Sequence, residues 1–173
     1  MKNYKHTINL QYYHSPCGEL VLASVGDELC LCDWKDNPCA ERNIRRFVSS
    51  LNAELKIETS HVSNETRRQL EEYFAGNRKA FSIPLHPVGT DFQLQVWKAL
   101  LNIPYGATRS YKQIATSIGR PEAVRAVARA IGANGISILI PCHRVIGCNN
   151  SLTGYAGGLE AKKVLLGIET QYK

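Results

Sequence analysis

The chain has 173 residues, 44% of them apolar, enough for one large domain or two small ones, each with its own core. Its net charge of +6 is lopsided: residues 1–88 carry eleven Lys and Arg against eleven Asp and Glu, residues 89–173 ten against four. Such asymmetry suits a polyanion-binding region beside a neutral one, or simply a solvated basic surface. No stretch approaches the roughly 18 apolar residues of a membrane span and the first residues lack an apolar signal core, which excludes membrane classes and points to a soluble, cytoplasmic chain.

In chain order, INLQYY (8–13), ELVLAS (19–24) and ELCLCDW (28–34) read as strands, the last two joined as a hairpin through Val25-Gly26-Asp27. Helix-period apolar residues mark 38–51 and 65–75, with strand-like LKIET between them. Residues 78–88, rich in proline and without periodicity, form the expected linker. Beyond it, Thr90 with Gln93 and Ser110 with Gln113 have capping-box spacing and predict helices over 91–102 and 110–118. Pro121 starts a further helix at its favoured first position, running to 132. The pair 110–118 and 121–132 has the dimensions of a helix-turn-helix. Its second helix places Val124, Val127, Ala128 and Ile131 on one face, with Arg125, Ala126, Arg129 and Ala130 opposite. Small and cationic residues together suit close approach to phosphates, although alanine is also a good helix former and arginine a good solvator. ISILI (136–140) reads as a short buried strand ended by Pro141.

Cysteines stand at 17, 30, 32, 39, 142 and 148 with no disulfide-framework spacing, so the thiols are expected to be free. Cys30, Cys32, Cys39 and His86 raise a zinc reading. A Cys-x-Cys without a second pair argues little for it, and positions 30 and 32 share one face of a strand where small core residues fit, so no metal is expected.

Cys142 and His143 carry the chemical signal. A thiolate attacks saturated carbon, and an imidazole can take its proton. On an extended segment the two side chains point apart, so a bridging water is needed; a buried cysteine beside a structural histidine fits the same residues. A Cys-His hydrolase would need a directly contacting base and leaves the helix pair without a role, whereas a DNA-binding regulator would need only the charge and the helices.

The pentapeptide Pro141-Cys142-His143-Arg144-Val145 resembles the active-site motif of the O6-alkylguanine-DNA alkyltransferases, the methylated-DNA–protein-cysteine methyltransferase family. Phe92-Gln93, Val96-Trp97, Ile103-Pro104-Tyr105-Gly106, Ser110-Tyr111, Arg125-Ala126-Val127, Asn134 and Gly154-Tyr155-Ala156-Gly157-Gly158-Leu159 resemble its further motifs in order, covering nearly all of 89–173. The first half is similar only in layout and in HSPCGEL. The resemblance implies an α/β ribonuclease-H-like N-terminal domain (1–88) and a mainly α winged helix-turn-helix domain (89–173) acting as a monomer on double-stranded DNA, without cofactor. The implied reaction is stoichiometric transfer of the alkyl group from O6-alkylguanine, and from O4-alkylthymine, to Cys142 after base flipping. By the same carry-over His143 and Glu169 complete a relay, Tyr111 assists the leaving base, and Asn134 ties down the active-site turn. Arg125 fills the stack, with Ala123, Ala126 and Arg129 also on the DNA, and Val145, Tyr155, Ala156 and Lys162 shape the base pocket. Two departures stand out: Gly135 replaces the usual proline after Asn134, and Cys148-Asn149-Asn150-Ser151 lacks a glycine common in that loop.

Overall fold

The structure, a computed structural model, describes residues 4–173. Its contacts divide the chain into two units, Met1–Val88 and Gly89–Lys173: an N-terminal mixed-sheet domain and a helical C-terminal domain.

In the first unit β1 (His6–Ser15), β2 (Gly18–Val25) and β3 (Glu28–Trp34) form an antiparallel meander, and β4 (Ala53–Lys56) adds in parallel to β1, giving the order β3-β2-β1-β4. The β2–β3 hairpin turns at Gly26, whose φ of +55° lies where glycine has no steric penalty. Leu20 to Ser24 are all buried. Successive strand residues face opposite ways, so β2 is covered on both faces. Helices α1 (Ala40–Ser50) and α2 (His61–Phe74) pack against the sheet, Phe47 of α1 joining Ile8, Leu10, Val21, Ala23 and Cys30 in one cluster.

Two boundaries depart from the sequence reading. Helix α2 begins four residues early because Ser60, at the N-cap, accepts from Ser63 N at 3.0 Å. The strand expected at 55–59 occupies 53–56, where it pairs with His6–Asn9. The 78–88 segment is held along β3: Leu29 N donates to Pro84 O at 2.8 Å and His86 N to Leu29 O at 2.8 Å. The residues of the zinc reading are engaged separately. Cys30 Sγ donates to Ala23 O, Cys39 Sγ accepts from Arg42, and His86 Nδ1 pairs with Glu28 at 2.9 Å. Among the described residues no three His, Cys, Asp or Glu side chains gather as a metal site, and no helix is long and apolar enough to cross a membrane.

In the second unit α3 (Asp91–Leu101) and α4 (Tyr111–Ser117) open on complete capping boxes, Thr90 with Gln93 and Ser110 with Gln113. Between them β5 (Arg109–Ser110) pairs in parallel with β6 (Val145–Ile146). Helix α5 (Val124–Gly132) starts three residues later than expected. Pro121 and Glu122 lie in the turn instead, and Ala123 holds the N-cap position without a side-chain bond. Ala130 is also reassigned: it is buried, and its carbonyl accepts from Trp97 Nε1 at 2.8 Å, tying α5 to α3. Arg125, Ala126 and Arg129 remain exposed. A C-terminal helix, α6 (Gly158–Gln171), completes the unit.

The largest correction concerns 136–140. ISILI is not a strand but a buried, tightly folded turn, with Ile138 at φ +71°, Leu139 N bonded to Ser137 O and Ile140 N to Ile136 O. A β-branched residue in the left-handed region is strained by about 1–3 kcal/mol, a cost the surrounding burial must offset.

Candidate active site

Asn134 organises the turn that leads to the candidate nucleophile. Its Nδ2 donates to Ile140 O at 3.1 Å and its Oδ1 accepts from Ile136 N at 3.0 Å, so one amide spans both ends of the folded ISILI segment. Gly135 beside it has no positive φ. The turn delivers Pro141 into a 3₁₀ turn, Cys142–Arg144, closed by Arg144 N to Pro141 O at 3.0 Å. This overturns the extended geometry read from the sequence. In a 3₁₀ turn successive side chains are about 120° apart rather than opposed, so Cys142 and His143 diverge less than a strand would make them.

Four charged or titratable side chains lie buried around this turn: His143, Arg144, Lys162 and Glu169, of which three are 0% exposed and Arg144 only 7%. His143 Nε2 lies 2.7 Å from Glu169 Oε1, while Arg144 grips the same carboxylate with both Nε (2.8 Å) and Nη2 (2.9 Å). Gly106 N adds a fourth donor at 3.1 Å. Burial would raise the Glu169 pKa, but the hydrogen bonds from His143 and Arg144 hold it down to about 2. Burial lowers the His143 pKa, more than the Glu169 contact raises it. Its Nδ1 is buried without a hydrogen-bond partner among the described residues.

From α6, Lys162 Nζ donates to Val145 O at 2.6 Å and Thr153 O at 2.8 Å, clamping the segment after Cys142 to the 153 loop. Burial lowers the Lys162 pKa, and the nearby Cys142 thiolate form opposes that shift. Cys142 is 7% exposed. The Tyr155 ring meets His143 edge-on, centroids 6.5 Å apart. Ala156 follows in a turn at the start of α6, where Gly158 N bonds to Tyr155 O at 3.0 Å. Tyr111, the first residue of α4, accepts from Thr153 Oγ1 at 3.2 Å, which ties the helix pair to the same loop.

Cys142, His143, Glu169, Asn134, Val145, Lys162, Tyr155 and Tyr111 thus lie around the same turn and loop. Ala123 is half-buried at the start of α5, and Arg125, Ala126 and Arg129 sit on its exposed side, where neither arginine side chain hydrogen-bonds another described residue. Sequence reading missed the parts played by Arg144 and Gly106, although both stood inside quoted motifs. The Gly147–Ser151 loop explains its missing glycine: Asn150 takes the left-handed conformation at φ +60°, which asparagine tolerates better than most residues. A surface cavity of about 560 Å³ is lined by Arg109, Lys112, Gln113 and Cys148, and does not include Cys142.

Comparison with known proteins places this geometry. Residues 91–171 match the family model for the DNA binding domain of 6-O-methylguanine DNA methyltransferase, and residues 8–87 the model for its ribonuclease-like domain. The methylated-DNA–protein-cysteine methyltransferase of Methanosarcina acetivorans is 46% identical over 91% of this chain and 95% of its own. The constitutive enzyme of that name from Bacillus subtilis is 45% identical over 92% and 96%. The crystal structure of Mycobacterium tuberculosis OGT in complex with DNA superposes with a TM-score of 0.81 at 40% identity, covering 95% of this chain and 94% of that one.

Proposed function

Because the chain belongs to the 6-O-methylguanine DNA methyltransferase family, we propose that Cys142 is the acceptor in its reaction, direct transfer of a methyl group from methylated DNA to a protein cysteine. The Sγ–C bond forms as the C–O6 bond of O6-methylguanine breaks. The alkylated thioether has no route back to a thiol here, so each molecule acts once. The observation that carries this reading is the buried His143–Glu169–Arg144 network directly after a barely exposed cysteine. Arg144 and Gly106 N can only donate to the Glu169 carboxylate, which keeps it ionised, so His143 donates through Nε2 and keeps Nδ1 as the base. One water molecule carries the Cys142 proton to it, the triad arrangement with a water inserted.

The remaining roles follow the same reading. Asn134 positions the turn; Tyr111 donates to the purine as charge develops on the leaving group; Ala156 offers its N–H to O6; Tyr155 walls the pocket. The carbonyls of Cys142 and Val145 already accept one bond each, from Val145 N and Lys162. Each keeps a second lone pair for the guanine amino group. On α5, Arg125 enters the base stack in place of the flipped nucleotide, while Ala123 and Ala126 permit close approach and Arg129 meets phosphate. The order β3-β2-β1-β4 with flanking helices supports a ribonuclease-H-like first domain, and α4–α5 with the β5–β6 ladder a winged helix-turn-helix. The protein works as a cytoplasmic monomer on double-stranded DNA, and O4-alkylthymine is a second substrate.

Duplex DNA carrying radiolabelled O6-methylguanine tests this. Label should pass to the protein up to one equivalent and no further, and Cys142→Ser should take none. Arg125→Ala should slow repair of duplex far more than reaction with the free modified base. Repeated turnover, or label on another residue, would overturn the assignment.

A further inference from the structure

We propose that Arg144 and the Ile103–Gly106 corner are positioning residues that hold Glu169 as a permanently ionised acceptor and so keep the His143 imidazole neutral, protonated at Nε2 and basic at Nδ1. This rests on the reading of His143 as the base for Cys142.

The geometry is over-determined. Glu169 Oε1 receives His143 Nε2 and Arg144 Nη2; Oε2 receives Arg144 Nε and Gly106 N. A carboxylate offers about four acceptor positions, so no place is left for a proton on Glu169. Arg144 is itself fixed: its Nη1 donates to Ile103 O at 2.7 Å, and its guanidinium lies 5.7 Å from the Tyr105 ring centroid. Gly106, at φ +71°, brings its N–H against the carboxylate in a place no other residue can occupy, since a Cβ there would lie 2.9 Å from Glu169 O. The Ile-Pro-Tyr-Gly motif thus has a task the transfer reaction alone does not assign.

Charge decides the consequence. The groups facing His143 are Glu169 and Lys162 from α6, Arg144 from its own turn, the Tyr155 ring from the 153 loop and Cys142 before it. A lone buried carboxylate beside an imidazole would favour imidazolium, which cannot accept the thiol proton. The Arg144 fork offsets that negative charge, and the Lys162 ammonium opposes a second positive charge nearby. Glu169 is thereby left to orient the ring without charging it.

The test follows the His143 ring nitrogens by ¹⁵N NMR in the full chain, from about pH 5 to about pH 9, the range over which an ordinary histidine titrates. The neutral Nε2–H form should persist throughout. Arg144→Gln should move both the appearance of imidazolium and the acid limb of the transfer rate upward by about one pH unit, bringing imidazolium into the acid end of this range. Arg144→Lys, which keeps the charge but loses the fork, should restore the limb at a lower rate. Imidazolium in the unaltered protein at pH 7, or a folded Arg144→Gln protein with an unmoved limb, would overturn the proposal. If Arg144→Gln does not fold, the titration of the unaltered protein still decides. Transfer at full rate by His143→Gln would instead sink the base assignment, whatever the ring's state.

Discussion

His143, Arg144, Lys162 and Glu169 would each be costly to bury alone, and they are buried together because their hydrogen bonds close on one another and on backbone carbonyls. This couples stability to acid in two stages. The His143 pKa is depressed in the fold, so the unfolded chain binds the extra proton first, and stability falls as pH drops below about 6.5, the ordinary histidine value. The Glu169 pKa is also depressed, to about 2, so its contribution is complete above about 4.5 and is lost between there and 2, on the order of 3 kcal/mol. Urea unfolding at stepped pH should show both declines. Glu169→Gln should be less stable at neutral pH and should lack the second decline; a variant that keeps it would place the acid sensitivity elsewhere. Little of this cluster was legible in advance. Cys142 and His143 drew attention by their chemistry, but Glu169 entered only through family resemblance. Arg144 looked like one more basic residue in a basic half, because the partner that buries it lies 25 positions away.

Local elements were legible where their cause is local. The boxes at Thr90 and Ser110 depend on a three-residue spacing, and both are formed as read. ISILI was misread because all five residues are buried: its hydrophobicity reported burial, which a strand and a packed turn share, and not backbone conformation. The left-handed Ile138 leaves no mark in composition. Pro121 was placed at the start of a helix that begins three residues later, as proline serves a turn equally well. The cap at α4 can be tested apart from the chemistry. Ser110→Ala should cost about 1 kcal/mol in urea unfolding, and because Tyr111 follows directly on the cap, it should also slow transfer to duplex DNA. A loss of stability with an unchanged transfer rate would mean that the cap does not position Tyr111.

Across the whole molecule, the charge excess and Cys142, the proposed acceptor, belong to the same unit, Gly89–Lys173, while the mixed-sheet unit is neutral. That coincidence was readable from residue counts alone, because net charge adds up without knowledge of the fold. What counting cannot do is divide the arginines between roles. Arg125 and Arg129 lie one helical turn apart on the exposed side of α5, yet base-stack insertion and phosphate contact differ in their dependence on salt. A phosphate contact releases condensed counterions and an inserted side chain does so far less. With Cys142→Ser protein, which should bind without reacting, Arg129→Ala should weaken binding to all duplexes and reduce the slope of log K against log salt by about 1. Arg125→Ala should leave that slope nearly unchanged while abolishing the preference for duplex carrying a flippable alkylated base. If Arg125→Ala lowers the slope as Arg129→Ala does, both arginines grip the backbone, and the flipped base must be replaced in the stack by another residue of α5.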